Sequence, residues 1–104
     1  MHVKFTDRPS GPARLVCEAE LHFDDDGPLA GLILVGFALW QGTNEELYVT
    51  FPSRAFGAGN ERRFFDYLRG DKECVVRFKT YILDAYAKSD FAAAARGTKR
   101  AAER

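Results

Sequence analysis

Three arginines bracket the glycine-containing stretch "PSRAFGAGNERR" at residues 52–63: Arg54 near its start, Arg62 and Arg63 at its end. A guanidinium is a planar fork of donors that matches phosphate oxygens, and the exposed backbone amides of a glycine-containing loop add more donors. Together they can hold a phosphate backbone. Gly57 and Gly59 permit backbone angles closed to other residues, and Ser53 can bond local backbone. Phe56, Phe64, Phe65 and Tyr67 lie among the arginines, and aromatic rings stack on bases of any identity. Further cations follow in the chain: Lys79 and Lys88 within a helical pattern, Lys99 and Arg100 near the C-terminus. The candidate nucleic-acid-binding set is therefore Arg54, Arg62, Arg63, Lys79, Lys88, Lys99 and Arg100. The competing reading is an ordinary antiparallel ribbon whose arginines face water and whose aromatics face a core.

Other chemistry-bearing residues carry less. Glu18, Glu20 and His22 alternate along one segment, and Asp24, Asp25 and Asp26 follow it. Carboxylates with imidazole can ligate metals. Alternate residues on one strand stand roughly 7 Å apart, however, so a shared ion at about 2 Å from each ligand would need sharp convergence. "DDDG" lacks the spaced ligands of a calcium loop, and "GAG" lacks the lysine of a phosphate-binding P-loop. His2 and His22 have no serine or cysteine partner nearby in sequence. No metal, cofactor or small-molecule substrate is expected, and no catalytic residue is assigned; a binding protein is expected rather than an enzyme.

The elements that must position the arginines follow from periodicity. Val3 to Thr6 suits a short strand, and "DRPSGPA" is a loop. From Arg14 to Phe23 the chain alternates: Leu15, Cys17, Ala19, Leu21 and Phe23 point one way, and Arg14, Val16, Glu18, Glu20 and His22 the other. "DDDGP" turns the chain, and "LAGLILVGFALW" at 29–40 is apolar on both sides, as a central strand covered on two faces would be. Gly31 and Gly36 within it predict a bulge or a close approach by another element. Leu47 to Phe51 alternates up to Pro52, which cannot donate to a ladder and marks a strand end, and strand character resumes at "RRFFDYL". Asp71 is placed to cap a helix on which Val75, Phe78, Ile82 and Tyr86 share a face, continuing toward Arg96 with Gly97 as a stop. The short connections exclude helical crossovers. The fold class is α+β: an antiparallel β-meander of four to five strands with one long C-terminal α-helix packed on the sheet. One domain is expected over 1–97, with a basic tail at 98–104.

Composition agrees. The chain has 104 residues, 46% of them apolar, with nine Phe, four Tyr and one Trp, enough for a single core and incompatible with disorder. The run from Leu29 to Trp40 falls short of the roughly 20 apolar residues of a membrane span, and no basic-then-apolar leader opens the sequence, so a cytoplasmic location is expected. Cys17 and Cys74 lie on different predicted elements and read as small core residues rather than a disulfide or metal motif. Net charge is zero, but the chain through Asp71 is acidic and the part from Lys72 basic. Such a split suits a polyanion partner or complementarity between copies.

In this order the elements resemble the stage V sporulation protein G, or septation protein, family. The likeness is carried by "LYVTFPSR" at 47–54, an apolar strand ending in a Pro-Ser-basic triplet; by Gly59 six residues after Ser53; by a basic residue, Arg62 or Arg63, shortly after; and by "ILDAY" at 82–86. It spans 13–88. The sequence departs where "AFGAGNER" replaces the family's threonine-proline-aspartate-glycine turn and where "FFDYLRGDKECV" lacks a proline. The resemblance implies a small dimeric bacterial regulator, active in septation, sporulation or cell division, that binds DNA and in some cases RNA. The alternative class is a protein-interaction module whose basic helix face and tail meet acidic partners.

Overall fold

The alternation from Leu15 onward makes a strand because it lets one face collect apolar side chains while the other keeps its charges in water. In the computed structural model, which describes residues 1–25 and 27–92, this strand, β2 (Leu15–His22), lies between β1 (His2–Thr6) and β3 (Ile33–Gln41), with β4 (Leu47–Thr50) beyond β3. All neighbours are antiparallel, in the order β1-β2-β3-β4. The helix α1 (Lys72–Ala87) packs on one face of this sheet. The chain is thus α+β, with a four-stranded meander as expected.

The core gathers Cys17, Ala19 and Leu21 of β2, Phe37 and Leu39 of β3, Val49 of β4, and Ile82 and Tyr86 of α1. Phe37 meets Phe51 and Phe78 edge-on, at centroid separations of 5.5 and 5.9 Å. Phe5 of β1 meets Tyr86 edge-on at 5.4 Å. Burial pushes the Cys17 thiol up to about 12, so Cys17 behaves as a neutral apolar residue of the core, whereas Cys74, expected there too, is exposed in the first turn of α1. Asp71 caps the helix as expected: its carboxylate accepts from the Cys74 amide at 2.8 Å, and that bond holds its pKa below the usual value.

Four further expectations are corrected. Residues 29–32 are not strand: Pro28–Gly31 form turns, closed by Ala30 N donating to Gly27 O at 3.1 Å and Gly31 N to Phe23 O at 2.7 Å. β3 is covered on one face only among the described residues, because α1 packs on that side of the sheet and no other described element packs on the opposite side. Its other side leaves Ile33 and Val35 more than half exposed, at 51% and 58%. Leu15 does not join the core face. The register slips between Leu15 and Cys17, so Leu15 pairs with Trp40 on the outer face and Val16 packs inward. Finally, α1 stops at Ala87 rather than running toward Arg96. The Ser89 hydroxyl donates to Tyr86 O at 2.6 Å and accepts from Ala92 N at 3.2 Å, closing one helical segment and capping a new turn. The tail at 98–104, with Gly97 before it, lies outside the described residues.

Gly36 fulfils both halves of its expectation. Between Ala19/Phe37 and Leu21/Leu34 the register advances by two residues on β2 and three on β3, a bulge that contains Gly36 at φ +105°. A Cβ built there would lie 2.9 Å from Cβ of Pro52. Replacing Gly36 with Ala should therefore cost about 1–3 kcal/mol, for the backbone angle and the displaced proline together. Denaturant unfolding measures it, and a loss below about 0.5 kcal/mol, the level of an inert surface change, would contradict this account.

Candidate nucleic-acid interface

Pro52 is buried where the chain leaves the sheet. Beyond it, residues expected as an irregular loop form a ribbon of two antiparallel strands, β5 (Ser53–Phe56) and β6 (Arg63–Asp66), in a sheet of their own. The Tyr67 amide donates to the Pro52 carbonyl at 2.9 Å and closes the ribbon's base. At its tip a short 3-10 turn (Gly59–Glu61) reverses the chain. Gly57 is required there: its φ is +84°, and a Cβ would lie 2.6 Å from Glu61 O.

Pairing register sorts the side chains. Arg54 pairs with Phe65 and Phe56 with Arg63, and these four share one face; Ser53 with Asp66 and Ala55 with Phe64 share the other. Arginine and aromatic thus alternate both along and across the first face. The Arg69 guanidinium lies over the Phe65 ring at 4.8 Å, and the Tyr67 ring stands 6.4 Å from Phe65. Arg62 is not with Arg54 and Arg63: it stacks at 5.6 Å on Phe64, which belongs to the opposite face. None of these arginines forms an ion pair among the described residues.

The ribbon's aromatics are not core. Phe64 is 69% exposed and Tyr67 60%, with Phe56 and Phe65 above two-fifths. On the first face, Phe56, Phe65 and Tyr67 among Arg54, Arg63 and Arg69 form a surface able to stack on flat π-systems and bind phosphate oxygens in one footprint, while Phe64 is exposed on the other face.

The second face of the ribbon looks onto a groove of about 670 Å³, walled by Trp40, Phe51 and Phe64 and also lined by Asp66, Arg69 and Lys79. Lys79 is half-buried, its ammonium 5.5 Å from the Phe51 ring centroid. Lys88 is elsewhere: it caps the C-terminus of α1, nine residues on, which at 100° per residue is half a turn round the helix and about 13 Å along it. Lys99 and Arg100 lie outside the described residues. Arg69 escaped the sequence reading although Phe65, Tyr67 and Arg69 recur with period two. Trp40 and Asp66 carried no local signal, because the groove forms between elements distant in sequence.

The carboxylates and histidines of the outer sheet face have local partners. Glu18 pairs with Arg8, Glu20 meets His22 at 3.1 Å, and His22 stacks on His2 at 4.7 Å. Asp24 is held down to about 2, first by hydrogen bonding from the Met1 ammonium and then by His2. Comparisons with family models, with curated proteins and with solved structures each find no match.

Exposure separates the two kinds of phenylalanine energetically. Phe64→Ser should change stability by no more than about 0.5 kcal/mol, whereas Phe37→Ala should cost about 3–5 kcal/mol. Urea titration of both variants measures the contrast, and a Phe64 loss as large as that of Phe37 would return the ribbon's rings to the core.

Proposed function

We propose that the protein is a small, non-enzymatic nucleic-acid-binding regulator, of the kind found in the stage V sporulation protein G family, that works in the cytoplasm without cofactor. The observation that carries this reading is the ribbon face on which Arg54, Arg63, Phe56 and Phe65 alternate in the open, extended by Arg69. The guanidinium groups fit phosphate oxygens and the rings fit bases, and none of the ribbon's arginines is taken up in an ion pair among the described residues. No described helix is long and apolar enough to cross a membrane.

We further propose a homodimer. The outer sheet face exposes Ile33, Val35 and Tyr48, and β1 and β4 end the sheet with unpaired edges among the described residues. A second copy would cover both.

The regulator reading predicts that affinity for DNA or RNA falls steeply with salt, as counterions are released. Replacing Arg54, Arg62 and Arg63 together with Ala should lower the slope of log K against log salt by roughly 0.7–0.9 for each phosphate that is no longer neutralised, and weaken binding on every sequence. Unchanged affinity and slope would remove the ribbon as the binding element. No binding even at low salt would transfer the ribbon and the basic helix face to a protein-interaction role.

For the dimer, sedimentation at micromolar protein should return about twice the chain mass of 11.7 kDa. A clean monomer would refute the association.

A further inference from the structure

The groove behind the ribbon is chemically unlike the arginine face in front of it. Three aromatic residues from separate parts of the chain line it: Trp40 of β3, Phe51 after β4, and Phe64 of β6. The groove adds one ammonium, Lys79 over Phe51, and one carboxylate, Asp66, which forms no ion pair among the described residues. Its volume of about 670 Å³ falls within the range of small-molecule sites, roughly 300–1,000 Å³. Aromatic walls take a flat heterocycle, the ammonium an adjacent phosphate, and the carboxylate the amino or ring N–H donors of a base edge. Arg69 joins the two faces, since its guanidinium stacks on Phe65 of the arginine face while the residue also lines the groove.

From this arrangement, and resting on the nucleic-acid reading of the ribbon, we infer that the protein takes single-stranded nucleic acid and seats one unstacked base in the groove, while the backbone passes by Arg69 round the ribbon to Arg54 and Arg63 on its other face. A duplex keeps its bases stacked and paired, so it can meet the arginine face but can enter the groove only by extruding a base. A single strand meets no such barrier, and base stacking on aromatic side chains tolerates any sequence.

The chain's one tryptophan, Trp40, is itself a wall of the groove and therefore reports on its occupancy. Titrating the full chain at low salt with a single strand of roughly 12 nucleotides, and in parallel with the duplex of the same sequence, should quench Trp40 fluorescence saturably with the single strand and leave it nearly unchanged with the duplex. Binding itself is followed separately by anisotropy of a labelled strand. Phe64→Ser, checked for folding by circular dichroism, should weaken single-strand binding by about tenfold and leave duplex binding as it was. Single-strand binding without quenching, equal quenching by the duplex, or a Phe64→Ser variant that binds single strands normally would each overturn the groove as a base site while leaving the arginine face standing. Absence of binding to both forms would overturn the nucleic-acid reading itself.

Discussion

The contact between Pro52 and Gly36 organises the molecule. Pro52 ends the meander because it brings no backbone donor, and its ring packs against β3 only because Gly36 has no side chain. The same glycine forms the bulge that returns Leu34, Phe37 and Leu39 to one face, so a single residue both keeps the core in phase and opens the seat for the proline. With Pro52 held there, its carbonyl receives the Tyr67 amide, and the chain between them has no course but a hairpin standing off the sheet. The position of every arginine on the ribbon descends from that seat.

Standing off has an energetic meaning. A strand added to the meander would bury alternate side chains against α1, whereas β5 and β6 pair only with each other, so both faces of the ribbon remain near water. Two exposed rings of the ribbon are instead half-sheltered by cations, Phe64 by Arg62 and Phe65 by Arg69, and Lys79 lies over the partly buried Phe51 at the ribbon's foot. Such stacking covers apolar surface without neutralising charge. The ribbon is thereby both aromatic and cationic, a combination that a packed core excludes.

Around β1 and β2 several charges are met locally. Arg8 answers Glu18, His22 answers Glu20, and the Met1 ammonium with His2 answers Asp24. On the ribbon, Arg54, Arg62 and Arg63 form no ion pair among the described residues, so their guanidinium donors stay open to an external acceptor.

Local pattern made much of this legible. The alternation of Cys17, Ala19 and Leu21, the cap at Asp71, the helix face of Ile82 and Tyr86, and the bulge at Gly36 each depend on interactions within a few residues or on one residue's backbone freedom, and such information resides in the sequence. The outward turn of Leu15 did not, because a bulge at Val16 is set by pairing with β3 rather than by β2's own pattern. Nor did the depth of β3: "LAGLILVGFALW" looks buried on both sides because apolarity is local, whereas coverage depends on how many layers the whole chain can build. For the candidate site, the residue types at Arg54, Arg62 and Arg63 were plain in the sequence. Their division between two faces, the addition of Arg69, and the groove of Trp40, Phe51, Phe64 and Lys79 were decided by strand register and by how β3, the end of β4, the ribbon and α1 come to line one groove. Tertiary structure alone decides these, because a one-residue change of register exchanges the faces of every side chain on a strand without altering its composition.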